Sequence, residues 1–207
     1  TPDTWLGEFF TAESLKDKSR AMHIGWREIA IFGSSSIEYW GNSGNATAPF
    51  QRFEGANTER GTIAPYSIQK IDNTYFFLDQ DRKVVRLAGR DPQVISTPFD
   101  AEIQQMDTVI DARGMHIHPN GETFYVLTFP TDQATWVYDT LTQEWHERGD
   151  WDSAAMTYLA YRPNCHAFAW GGLGFGTNLV GDSTSGKLMV MSLTTGTDMA
   201  GEYIRRV

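Results

Sequence analysis

Tyr75-Phe76-Phe77-Leu78, Asp79-Gln80-Asp81-Arg82 and Val84-Val85-Arg86-Leu87 form an apolar run, a tight polar turn and a second apolar run. Aromatic and β-branched residues suit a pleated, half-buried surface, and the short polar segment between them reverses the chain. Gly89 then gives an exit, and Gln93-Val94-Ile95-Ser96 supplies an outer strand, so the stretch reads as one β-meander. The same order recurs on either side of it. Upstream, Trp26 to Gly33 turns at Ser34 to Ser36 into Ile37-Glu38-Tyr39-Trp40, exits through Gly41 to Gly44, and continues around Phe50 to Phe53. Downstream, Thr123 to Phe129 turns at Pro130 to Gln133 into Thr135 to Asp139, followed by Glu144 to Glu147. A fourth copy runs through Cys165 to Trp170, a Gly-rich turn, Asn178 to Asp182, and Lys187 to Leu193.

Ile37, Val85, Trp136 and Leu188 hold matched positions at intervals of 48, 51 and 52 residues. Repeats of roughly 40 to 50 residues mark propellers and related folds. The expected fold is therefore all-β and β-propeller-like, with about four β-meander blades near 25–56, 64–98, 113–150 and 156–195. Residues 1–24 form a lead-in segment to this propeller-like domain of 25–207. One segment departs from the pattern: Ile103, Met106 and Ile110 keep a helical period, and Asp100 is placed to cap them, which predicts a short helix over 100–112. Tyr203 to Val207 reads as a strand just beginning and residue 1 is Thr, so the chain is expected to be a fragment of a larger propeller.

The 207 residues are 41% hydrophobic and 13% aromatic, enough for a packed core. The formal charge of −9 repels phosphate backbones, and the basic residues are interleaved with acidic ones, which argues against direct nucleic-acid binding. One cysteine, Cys165, leaves no internal disulfide and no Cys cluster for zinc. No apolar run approaches the roughly 20 residues of a spanning helix, and no signal-peptide pattern opens the chain, so the expected compartment is cytoplasmic.

Residues able to carry chemistry are few. His116 and His118 sit two apart in an extended segment and so share a face, as a metal pair requires, but the sequence offers no third ligand. Asp139, Glu144, Glu147, Asp150 and Asp152, with His146 and Arg148 among them, are acidic enough for a glycosidase pair, yet charges on an outer blade strand face water. Gly171 to Gly176 lacks the lysine pattern of a phosphate loop and reads as a turn. Ser34, Ser35 and Ser36 lack a nucleophile-elbow context, and Cys165 reads as a small buried hydrophobe. Of the seven tryptophans, about two thirds are expected in blade cores and the rest free to anchor a partner. No catalytic, cofactor-binding or metal residue is assigned.

The run Ile31-Phe32-Gly33-Ser34-Ser35-Ser36-Ile37-Glu38-Tyr39-Trp40-Gly41-Asn42-Ser43-Gly44, then Pro49-Phe50-Gln51-Arg52, Gly55, Glu59-Arg60-Gly61 and Ala64-Pro65-Tyr66-Ser67, resembles the phage stabilisation proteins of short-tailed bacteriophages. So do Val84 to Gly89, Ile95-Ser96-Thr97, His118, Phe124-Tyr125-Val126-Leu127-Thr128-Phe129-Pro130, Thr135-Trp136-Val137-Tyr138-Asp139 and Glu144-Trp145-His146-Glu147-Arg148. The resemblance spans about 25 to 165 and thins to a general blade pattern beyond Cys165. It implies a non-enzymatic protein of the virion tail, made in the host cytoplasm: a hub or plug that closes the portal channel and retains packaged DNA. The implied partners are portal or adaptor proteins and tail spike or needle proteins, with a homo-oligomeric ring in a longer parent and no cofactor. The motif residues carry over as structural positions only. The competing reading is a carbohydrate-binding or glycosidase-like propeller, although the Asp-box of sialidase blades is missing and only Thr135-Trp136 survives of its end.

Overall fold

The computed structural model describes residues 17–46, 48–169 and 176–191. Its strands form successive antiparallel meanders in chain order. The first sheet holds β1 (Ser19–Gly25), β2 (Glu28–Gly33), β3 (Ile37–Asn42) and β4 (Phe50–Thr58). The second holds β5 (Gln69–Ile71), β6 (Thr74–Leu78), β7 (Val84–Ala88) and β8 (Asp91–Val94). After helix α1 (Asp100–Gln105), the third holds β9 (Arg113–Ile117), β10 (Phe124–Phe129), β11 (Ala134–Asp139) and β12 (Trp145–Glu147). A separate hairpin, β13 (Gly149–Asp152) with β14 (Thr157–Ala160), precedes the fourth sheet of β15 (Pro163–Ala169), β16 (Thr177–Asp182) and β17 (Leu188–Val190).

The second strand of a blade shows why these sheets stack. All five residues of β6 are buried. Side chains alternate between the two faces of a strand, so an unbroken apolar run means that both faces are covered. Tyr75 and Phe77, with Val85 and Leu87 of β7, pack against Ala30, Phe32, Ile37 and Tyr39 of the first sheet. Phe76, Leu78 and Val84 point the other way, into a cluster with Tyr125, Leu127, Phe129 and Tyr138 of the third sheet. The third sheet repeats the scheme, turning Met115, Ile117, Val126 and Val137 to its far side, where Tyr161 and Met191 cover them. The two outermost faces carry uncovered apolar residues: Met22 and Ile24 on the first sheet, Leu188 and Val190 on the fourth, at 62% to 71% exposure.

A second device recurs. In each blade a side chain from the segment leading into it ties down the turn between its second and third strands. The Asp17 carboxylate accepts the backbone N–H groups of Ser34, Ser35 and Ser36 at 2.8 Å each. Arg60 pairs with the fully buried Asp79 carboxylate, and Asp111 accepts the N–H and hydroxyl of Thr131 at 3.0 and 2.7 Å. Arg162 grips Asp182 through Nε at 3.1 Å and Nη2 at 2.6 Å. Burial works against the charge of Asp17, but the hydrogen bonds from Ser34, Ser35 and Ser36 outweigh it and hold the carboxyl well below its ordinary range. Gly61 is needed at the second of these joints, because a side chain there would run into the Ser34–Ser35 backbone.

Several expectations are corrected. Each of the first three blades opens with a strand that the repeat reading passed over, β1, β5 or β9, so the first sheet begins inside the lead-in segment. The helix ends at Gln105: Met106 is already extended, and Asp132 accepts the N–H groups of Asp107 and Thr108 at 2.9 and 3.3 Å, which holds the chain out of a helix. Phe99, not Asp100, occupies the cap position, and Asp100 accepts the Ser96 hydroxyl instead. Blade four starts at Pro163 because residues 149–160 form their own hairpin. Cys165 is exposed, since it lies on the uncovered side of the fourth sheet. None of the five described tryptophans is fully buried; Trp136 and Trp145 flank the core, stacked on Phe99 at 4.3 Å and edge-on to it at 4.7 Å. Trp5, Trp170 and Tyr203 to Val207 lie outside the described residues.

Phe77 has no exposed surface and joins the first two sheets through an edge-on contact with Phe32 at 5.3 Å. We expect Phe77→Ala to cost about 3–5 kcal/mol in urea unfolding; a loss below ~1 kcal/mol would show that the interface between these blades is not part of the core.

Candidate functional site

Most of the motif residues quoted above lie away from any cleft, although Gly41 to Gly44 border one. They lie at the joints between and within blades. Phe32, Gly33, Ile37, Glu38 and Trp40 belong to the central strands of the first sheet, and Gly44, Pro49 and Phe50 to the loop that starts β4. Arg60, Gly61 and Ser67 occupy the connection to the second blade, where the Ser67 hydroxyl donates to the Ala64 carbonyl at 2.7 Å and accepts the Leu78 N–H at 2.9 Å. The Ser67 carbonyl takes the hydroxyl of fully buried Tyr125 at 2.8 Å, so one serine ties blades two and three together. Gly89 sits at φ +66° between β7 and β8. Ser96, between Ile95 and Thr97, accepts the Val84 N–H at 2.9 Å, and the Ile95 carbonyl accepts the Trp145 indole N–H at 2.7 Å. Thr128 pairs with Thr135 across the third sheet at 3.1 Å, beside Phe129, Pro130, Trp136 and Tyr138.

The acidic stretch is dispersed among separate tasks. Asp139 caps the turn after β11 by accepting the Leu141 N–H at 2.8 Å, and Asp152 caps the next hairpin through Ala154 at 2.9 Å. Asp150 lies 3.7 Å from Arg162, while Glu144, His146 and Glu147 are exposed at the outer edge. Ser34, Ser35 and Ser36 are committed to Asp17. Gly171 to Phe175 lies outside the described residues.

The sequence reading stopped at two histidines; the fold brings a third. His116 on β9 lies 5.1 Å from His118 and 6.0 Å from His166 on β15, ring centre to ring centre. A signal for the pairing was present: Met22-His23-Ile24 and Met115-His116-Ile117 repeat in the first strands of blades one and three, and Cys165-His166-Ala167 echoes them in blade four. Each ring is held by a neutral oxygen: His116 Nδ1 by Gln69 Oε1 at 3.0 Å, His118 Nδ1 by Thr123 Oγ1 at 2.9 Å, and His166 Nε2 by Asn178 Oδ1 at 2.8 Å. Among the described residues no group of three or more His, Cys, Asp or Glu converges to hold a metal ion. The arrangement is a polar seam in which Gln69 on β5, His116 on β9 and His166 on β15 link the first strands of blades two, three and four.

Burial holds the His116 imidazole below its ordinary range, reinforced by His118 and His166, with Asp72 pulling the other way. The native state therefore favours the neutral ring. An unfolded histidine takes up its proton near pH 6.5, so stability is level above about pH 7 and falls as pH drops through that value. We expect urea midpoints to decline from pH 7.5 to 5.5, and His116→Gln to flatten part of that decline; an unchanged slope would remove His116 from the account.

The profile of the phage stabilisation family, described as bacteriophage P22 Gp10, β-propeller, matches residues 2–196. No curated protein sequence matches the chain. Among solved structures, the extracellular domain of the one-component system BT4673 from B. thetaiotaomicron is similar at 12% identity and a TM-score of 0.43, over 93% of this chain. The chain spans 23% of that protein's length. With a strand-built repeat of four meanders and a family match along nearly its whole length, the chain belongs to the phage stabilisation family and is a bacteriophage structural protein with a β-propeller fold.

Proposed function

We propose that this protein serves in the virion tail as part of a hub or plug that closes the portal channel, retains packaged DNA and seats further tail parts. The observation that carries this reading is the family match along residues 2–196. Two physical features support it. A formal charge of −9 makes the protein a poor ligand for phosphate and a sound barrier to it, since like charge keeps DNA off the surface without binding it. The tied turns and doubly covered strands give a stiff scaffold, which a closure under internal pressure needs more than it needs a catalytic cleft. Portal or adaptor proteins on one side and spike or needle proteins on the other are the partners, with a ring of copies following the symmetry of the portal. Assembly then takes place in the host cytoplasm.

Full-length protein mixed with portal and adaptor should yield, by negative-stain microscopy, a ring of added density beneath the portal. Absence of co-assembly at micromolar concentrations would sink the proposal.

A further inference from the structure

The β1–β2 hairpin turns on Trp26 and Arg27, with φ of +48° and +64°. Two positive φ values suit the twist of a hairpin, but Asn-Gly is the favoured pair, because larger side chains crowd the backbone there. A tryptophan and an arginine are held in that strained form with their side chains at the surface. Strained residues persist where surrounding structure holds them for a task. Trp26 is 39% exposed, stands edge-on to Tyr75 at 5.5 Å, and has the Lys70 ammonium 5.7 Å from its ring centre.

Beside this turn lies an open cleft of about 560 Å³ bordered by Trp26, Arg27, Glu28, Asn42, Ser43 and Phe53. Phe53 packs on Gly41 and has the Arg90 guanidinium 5.6 Å from its ring, which fixes the second aromatic wall. The acceptors of the cleft are largely used. Glu28 is held by Arg90 at 3.0 and 3.2 Å, and Asn42 Oδ1 accepts the Gly44 N–H at 2.8 Å. The Ser43 hydroxyl donates to the Ala48 carbonyl and accepts the Asn45 N–H at 3.1 Å. What remains in the cleft is a pair of donors: the Arg27 guanidinium and the Asn42 amide N–H₂. On a chain of net charge −9, the cleft offers one cation, Arg27, between two aromatic side chains.

We propose that the cleft binds a carboxylated sugar of a glycan: the carboxylate meets Arg27, a ring hydroxyl accepts from Asn42, and the apolar sugar face lies on Trp26. The proposal does not depend on the tail-hub reading, and failure of co-assembly leaves it standing.

Isothermal titration of the chain with trigalacturonate, against galactotriose as the neutral control, tests it. The acidic trimer should saturate with a millimolar constant and the neutral trimer should bind at least tenfold more weakly. Arg27→Gln should weaken the acidic trimer about tenfold, and higher salt should weaken it further. The double variant Trp26→Asn, Arg27→Gly installs the preferred turn, so it should abolish binding and raise the melting temperature, a readout that separates lost contacts from lost fold. Absence of saturation by about 10 mM, equal binding of galactotriose, or binding unchanged in the double variant would each overturn the proposal. A lower melting temperature in that variant would overturn the claim that the turn is strained for binding.

Discussion

Everything in this architecture depends on strands that have no solvent side. A sheet with one wet face needs only an alternating pattern; a blade between two others must be apolar on both faces of its middle strands. Phe76 and Phe77 are neighbours in sequence yet belong to different clusters, one shared with the third sheet and one with the first. Each such strand is bonded to its own sheet by backbone and to two other sheets by side chains. Burying a phenylalanine of this kind contributes roughly 1.5–3 kcal/mol, and the contribution exists only when the neighbouring blade it faces is present.

The tied turns complement this packing because they act within a blade and not between blades. Polar groups at a turn would otherwise compete for water at the rim, and a buried carboxylate such as Asp79 would be costly alone. Burial pushes the Asp79 carboxyl upward, opposed by the Lys83 N–H and by Arg60. The chemistry of the tie varies from blade to blade: carboxylate to backbone N–H groups in blades one and three, guanidinium to carboxylate in two and four. A conserved geometry met by unlike residues is invisible to a search for repeated letters.

That contrast explains what was legible. The second and third strands of each blade were readable because they are apolar runs bounded by turns. The first strands of the first three blades were not: Gln69-Lys70-Ile71 is three residues long, and β1 mixes Ser19, Arg20 and His23 with apolar residues. Several hairpin turns end on a left-handed residue that is not glycine, at Arg82, Gln133, Gln143 and Met156, so the usual turn letters are missing. The helix failed at Met106 because Asp132 holds the N–H of the next residue, Asp107, from 25 residues away. His166 joined His116 only through the pairing of separate sheets, which no spacing within one strand reveals. Motif residues such as Ser67, Ser96 and Ile95 share another property: their hydrogen bonds join one segment to the next.

The ties at the blade turns span only 17 to 20 residues of chain. Closing loops of that length is fast and entropically cheap. Such ties can therefore form within a blade's own forty or fifty residues, leaving an apolar face on which the next blade can pack. Folding in chain order would confine the slow search for distant partners that burdens most β proteins to the joins between blades.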